Sequence, residues 1–298
     1  MLEAIEEGGS WEHGARWAER MRRWAHRCER LLVLSPAQLE RVERLLGIDR
    51  ARCVVSPNGF DPEHFDRLDV DRDAVWRRVL VEQPRGWAPG EDEGSVGYDA
   101  GDVAETAGGP VLVCVGRFTH VKRLPLLIRA WAAAAPRFAE PASLVLVGGY
   151  PGEWEGEHPL EVVRSTGAPR VFLAGWHGHD ELPELLSAAD ALVLASVREQ
   201  FGSVLVEGMA CGLPAIAVNR MGPALIVKPG DTGWLVEPDD LEGLADALVA
   251  CVNDPVARRR AGRRALRDAH ERFSWPAIAD GVADLFDRVV AAHRPTVS

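Results

Sequence analysis

Cysteine is scarce in this 298-residue chain: five residues, at positions 28, 53, 114, 211 and 251, widely spaced and without a Cys-x-x-Cys pair. That argues against a disulfide framework or a zinc ribbon and predicts reduced, core-filling thiols. Positive charge is also in short supply. With 34 Lys and Arg against 45 Asp and Glu, the formal charge of -11 argues against a nucleic-acid partner and against wholesale attraction to an anionic surface. The basic runs Arg258 to Arg260 and Arg263 to Arg264 fit a solvated helix face. No apolar run approaches the roughly 20 residues that span a bilayer, and Met1 to Ser10 lacks the basic and apolar regions of a secretory signal. The expectation is a cytoplasmic protein, with room left for peripheral contact at the inner face of the membrane.

What is present is a folded pattern, 47% hydrophobic and long enough for two domains. A helical period runs through Trp11 to Glu29. Leu31 to Leu34 reads as a strand ending in Ser35-Pro36, a helix start. Gln38 to Leu46 continues as helix, and Cys53 to Val55 as a strand closed by the turn Ser56-Pro57-Asn58-Gly59. After a helix near Ala74 to Val81 the periodicity decays into Gly, Pro, Asp and Glu, so residues 67–109 are expected to form a linker, disordered near Pro89 to Gly108.

Beyond it, unbroken apolar strands recur at Val111 to Val115, Leu144 to Val147, Val171 to Ala174, Ala191 to Leu194, Pro214 to Val218 and Trp234 to Val236. Helical patterns lie between most of them, notably Leu124 to Phe138, Leu182 to Ala189 and Val204 to Cys211, which predicts a doubly wound parallel sheet. Three further helices, Leu241 to Val252, Pro255 to Phe273 and Trp275 to Ala292, close the chain.

In such a sheet, ligands bind beyond the carboxyl ends of the strands, which directs attention to the loops there. In the loop from Gly116 to Lys122 the glycine permits a tight turn, and Arg117 and Lys122 suit a diphosphate. It lacks the second glycine and the Lys-Ser/Thr ending of a P-loop. Gly148-Gly149 is not followed by a Gly-x-Gly-x-x-Gly fingerprint, which counts against a dinucleotide enzyme. Gly175-Trp176 could hold a nucleobase through backbone groups. His177 and His179 beside them lack the further ligands a zinc site needs.

The richest loop runs from Ser196 to Pro214. Glu199 follows a strand, whereas Glu207 lies among Val204, Leu205, Val206 and Met209, where a carboxylate is costly without donors. A ribose offers two hydroxyl donors, and the free amides near Phe201, Gly202, Ser203 and Val204 suit a phosphate.

Gly116-Arg117 with Lys122, the Glu199 and Glu207 pair, the run Glu207 to Pro214, and Gly230-x-Thr232-Gly233-Trp234-Leu235-Val236 resemble the donor-binding domain of family-four retaining glycosyltransferases. Asn58-Gly59-Phe60-Asp61 with Phe65 resembles the end of that family's first domain. The resemblance implies an α/β fold of GT-B type, with a complete C-terminal Rossmann-like sheet and the remnant of an N-terminal Rossmann-like acceptor domain. The expected division is 1–66 for that remnant, 67–109 for the linker, 110–274 for the nucleotide-sugar domain and 275–298 for a helix crossing back.

The resemblance also implies transfer of a hexose from a UDP- or GDP-sugar to a glycan, lipid or small-molecule acceptor, as in cell-envelope or glycan biosynthesis, without metal or resident cofactor. Arg117, Lys122 and Glu199 would serve catalysis. Gly116, Gly175, Trp176, Glu207 and the amides at 201–204 would bind the donor. Two alternatives stay open: a catalytically incomplete nucleotide-sugar module, and a metal-dependent transferase suggested by Asp69-Val70-Asp71-Arg72-Asp73.

Overall fold

The computed structural model describes residues 13–293; Met1 to Ser10, read as carrying no signal, lie outside them. The chain divides into two compact units, one of residues up to Asn58 with those from Trp275 onward, the other Gly59–Ser274.

In the first unit, β1 (Leu31–Val33) pairs in parallel with β2 (Cys53–Val55). The helix Gly14–Arg27 buries Gly14, Ala18 and Ala25 and exposes Arg16, Arg20, Arg23 and Arg27, while Arg22 Nε donates to Leu45 O at 2.9 Å. Ala25, Leu31 and Ile48 form one small core and Ala18 with Leu45 another. The helix Trp275–Ala292 belongs to this unit.

The second unit is built on six parallel strands in the order β5-β4-β3-β6-β7-β8. They are β3 (Val111–Val115), β4 (Ser143–Val147), β5 (Val171–Gly175), β6 (Ala191–Leu194), β7 (Ala215–Val218) and β8 (Gly233–Val236). β3, β4, β5, β6 and β7 are apolar on both faces because helices cover both, which is why they read as unbroken Val, Leu, Ile and Ala runs. Successive strands run outward from β3 through β4 to β5, then return to the other side of β3 at β6. The β3/β6 junction is therefore the topological switch point, where side chains following the two strands converge on a crevice. All five cysteines are free, and burial pushes the thiols of Cys114, Cys211 and Cys251 up to about 12.

Residues 67–109 correct the expectation of a partly disordered linker: they are folded onto the second unit. Asp71 caps the helix Arg72–Arg77 by accepting the Ala74 amide at 3.1 Å, so the aspartate cluster at 69–73 serves a helix start. Arg72 pairs with Asp190 at 2.6 Å, and the buried Trp76 donates its indole N–H to Ala188 O at 3.3 Å. Val79, Leu80 and Trp87 are buried as well, and the Tyr98 hydroxyl accepts the Leu173 amide at 2.8 Å. The Gly and Pro of this stretch make turns: Gly86 bridges Val96, and Arg85 bridges Gly175 at the outer edge of β5. The boundary accordingly falls at Asn58 instead of residue 66.

Trp87 also encloses His158 together with Phe118 and Trp154. The His158 Nδ1 accepts the Leu160 amide at 3.2 Å and caps the helix Pro159–Thr166, and burial pushes its pKa down from 6.5 to about 4. Between those values the unfolded chain carries a proton that the folded one does not, so stability falls as pH drops from about 6.5 towards about 4. Urea midpoints at pH 7 and 4.5 measure the slope; His158→Gln is expected to flatten it.

Candidate active site at the switch point

The loop after β3 and the loop after β6 meet at the crevice. Val197 N donates to Val121 O at 3.0 Å, tying the two backbones together. Their side chains meet too: Lys122 Nζ donates to Glu199 Oε2 at 2.7 Å, each side chain about four-fifths buried. Two charges this withdrawn from water need each other, because desolvation is costly and removing either partner strands the other. Arg117 reaches solvent from the same loop, and among the described residues its guanidinium makes no ion pair. The post-β3 loop thus carries Lys122, neutralised by Glu199, and Arg117, without an ion pair among the described residues.

The helix Ser203–Ala210 begins at Gly202, whose φ of 100° is the left-handed conformation that glycine adopts without strain. A Cβ there would stand 3.1 Å from Leu205 and 3.3 Å from the Glu199 side chain. No side chain caps this helix, leaving the first-turn amides without a side-chain acceptor. Ser203 is exposed and Val204 half-buried, while the Phe201 ring is buried against Phe273 at 5.8 Å, so only backbone is offered at 201. Glu199 O accepts the Gly222 amide at 3.1 Å, fixing the loop against the next βα turn.

Glu207, two turns on, is 15% exposed, and burial raises its pKa against the opposing influence of the neighbouring His179 and His64. His179 Nε2 lies 3.7 Å from Glu207 Oε1. It stacks on His64 with centroids 5.1 Å apart, and Phe65 meets both rings edge-on. The loop after β5 is thereby brought to the helix Ser203–Ala210. Gly175 ends that strand, its carbonyl accepting the Gly148 amide at 2.6 Å, and the Trp176 ring stands exposed. Gly116 N donates to Val147 O at 2.9 Å, holding the post-β3 turn against β4.

His177 is buried, within 3.3 Å of Ala174 O and Glu181, and stands outside this group. Among the described residues, one set of three, His64, His179 and Asp180, has candidate metal-ligand atoms within 4.8 Å of one another. His64, 115 residues away from the post-β5 loop it joins, has no sequence signal that would single it out.

Comparison with known proteins shows the family of the chain. Residues 101–268, more than half of the chain, match the family described as Glycosyl transferases group 1. The chain belongs to that family. It is 33% identical over 262 residues to a D-inositol 3-phosphate glycosyltransferase of Rhodococcus opacus, covering 87% of this chain and 53% of that protein. It is 34% identical over 164 residues to an N-acetyl-alpha-D-glucosaminyl L-malate synthase of Bacillus anthracis, covering 55% of this chain and 41% of the relative. The chain spans about half the length of these curated relatives.

Among solved structures, a sucrose-phosphate synthase from Thermosynechococcus elongatus superposes with a TM-score of 0.71 at 24% identity, covering 98% of this chain and 67% of the other. Anabaena HepE in complex with UDP-glucose superposes at 0.69 and 22%, with coverage of 91% and 67%. At these identities the likeness concerns the fold, which is α/β of the GT-B glycosyltransferase type.

Proposed function

We propose that the Gly59–Ser274 unit is the donor half of a retaining glycosyltransferase that moves a hexose from a UDP- or GDP-sugar to a glycan, lipid or small-molecule acceptor. The observation that carries this reading is the Lys122–Glu199 pair at the β3/β6 switch point, 2.7 Å apart, beside an uncommitted Arg117. A diphosphate entering the crevice would take Lys122 from Glu199 and recruit Arg117. Both cations would then oppose the charge that builds on the departing diphosphate, so the stabilisation is larger in the transition state than in the ground state.

Glu199, released from Lys122, becomes free to accept hydrogen bonds from the donor-sugar hydroxyls, a role of orientation. Glu207 would accept both ribose hydroxyls, adding donors to a buried carboxylate that His179 Nε2 approaches at 3.7 Å. The first-turn amides of Ser203 and Val204 fit the distal phosphate. Gly175 and Trp176 offer backbone to the base, and Gly116 lets the chain pass close to the phosphates.

In this reading the cations replace a metal, so transfer is insensitive to EDTA, and no resident cofactor is needed. We place the reaction in the cytoplasm, with peripheral membrane contact if the acceptor is a lipid and with no nucleic-acid partner. HepE is described with UDP-glucose, which makes that sugar nucleotide the first to test.

A thermal-shift screen of UDP- and GDP-sugars tests donor binding: a ligand that binds the folded state alone raises the melting temperature. No shift with any of them would remove the reading. A second reading is a nucleotide-sugar module without turnover. Binding without transfer would select it.

The raised pKa of Glu207 adds a pH signature. Only the ionised carboxylate accepts from both ribose hydroxyls, so affinity for a nucleotide sugar should decline on acidification at a pH above the ordinary glutamate range. Glu207→Gln should bind more weakly and lose that dependence, read by titration calorimetry between about pH 5 and 8.

A further inference from the structure

The basic runs of the helix Pro255–Phe273 find no use in donor binding, yet three of their arginines line the wall of a cavity of about 230 Å³. Arg67, Arg258, Arg259 and Arg263 surround it, with Asp190 and the turn Gly212–Pro214. Asp190 immediately precedes β6, and Pro214 immediately precedes β7. The cavity therefore opens at the amino ends of the strands, across the sheet from Lys122 and Glu199, which follow the carboxyl ends of β3 and β6.

Its charge is unbalanced. Asp190, the one carboxylate in the lining, is already engaged by Arg72 at 2.6 Å and by the Val111 amide at 2.9 Å. Arg258 is 5% exposed, and its Nη1 donates to Cys251 O and Val252 O at 2.7 and 2.9 Å, capping the end of the preceding helix. Its Nε is buried and has no acceptor. Arg67 donates to Cys211 O at 3.2 Å. Those bonds account for two of the guanidinium groups as ordinary caps of helix carboxyl ends.

They do not account for Arg259 and Arg263. Both are exposed, sit four residues apart where like charges repel, and make no ion pair among the described residues. Gly262 permits the close approach that brings them in, since a Cβ there would stand 2.4 Å from Gly212 O. In a chain of net charge -11, four guanidinium groups around one spoken-for carboxylate form a local inversion of sign.

We propose that this cavity is a second anion site, for a phosphate dianion held by Arg259 and Arg263 with Arg67 and Arg258 behind them. Forked guanidinium groups match phosphate oxygens two at a time, and a dianion would relieve the repulsion among them. The phosphate could be a free monoester or the headgroup of an anionic phospholipid. The two sources share this chemistry and differ in whether a vesicle is held.

The test uses the whole chain, inorganic phosphate, and vesicles of phosphatidylcholine with and without about one fifth phosphatidic acid, near 0.15 M salt, where surface attraction is screened beyond about 8 Å. The expected result is saturable phosphate binding that the R259A/R263A double variant weakens at least tenfold and that Lys122→Ala leaves unchanged. Arg263→Glu is the second variant, and unfolding midpoints verify that both remain folded. Arginine-dependent sedimentation with the acidic vesicles assigns the headgroup as the source; phosphate binding without sedimentation assigns the free anion. No saturable binding, or binding lost in Lys122→Ala and retained in R259A/R263A, overturns the proposal. The second of those outcomes would leave the donor reading standing.

Discussion

Trp76→Ala is expected to cost about 3–5 kcal/mol of stability, the range for deleting a fully buried indole. Trp76 has no exposed surface and donates to Ala188 O at 3.3 Å, so the truncation leaves a cavity and removes one of that carbonyl's donors, Arg72 Nε at 3.1 Å remaining. Urea unfolding followed by circular dichroism reads the change directly. Were residues 67–109 a linker, the same substitution would cost next to nothing, and a loss under about 1 kcal/mol, ordinary for a surface position, would contradict the packing described.

Lys122→Ala is expected to weaken nucleotide-sugar binding by roughly 10- to 150-fold, the equivalent of about 1.5–3 kcal/mol for a hydrogen bond to a charged group. The variant loses the cation and also leaves Glu199, 21% exposed, facing the incoming diphosphate without its counter-ion. Glu199→Gln separates the two effects. It removes the competing charge and keeps a hydrogen-bonding side chain, so donor affinity should hold or improve while transfer, if the chain transfers, slows. Equal losses in affinity for both variants would mean that Glu199 contacts the donor more than it guards Lys122.

The sheet was legible because its strands carry an unambiguous signal. Val111 to Val115 is apolar throughout, buried on both faces and bounded by Pro110 and Gly116, and the strand occupies that same span. The helix Pro159–Thr166 went unassigned, since eight residues with a mixed face give little periodicity. Residues 67–109 misled for a physical reason. Their Gly, Pro and acidic residues serve turns and a helix cap, and Trp87, beyond the helical stretch, packs against Phe118, Trp154 and His158 with no periodic apolar neighbours to announce it.

At the site, the post-β3 and post-β6 loops drew attention because they follow strand ends, and the resemblance named Arg117, Lys122, Glu199 and Glu207 among their residues. That Lys122 and Glu199 touch is a fact of topology, because 77 residues separate them and only the return of the chain to β6 makes them neighbours. The meeting of His64 with His179 and Glu207 depends on a loop 115 residues away and has no local signature. The arginines of the helix Pro255–Phe273 read as a solvated face, and Arg260 and Arg264 fit that description. Arg259 and Arg263 differ only in the direction their helix turns them.

One nucleotide sugar is expected to bind this unit with its diphosphate at Lys122 and its ribose at Glu207. Titration calorimetry of the sugar nucleotide selected by the thermal-shift screen, run on the unaltered chain and on the Lys122→Ala/Glu207→Ala double variant, tests it most directly. The prediction is one-site binding to the first and no measurable binding to the second, with both equally folded by circular dichroism. Saturable binding of equal affinity to the two would contradict the account.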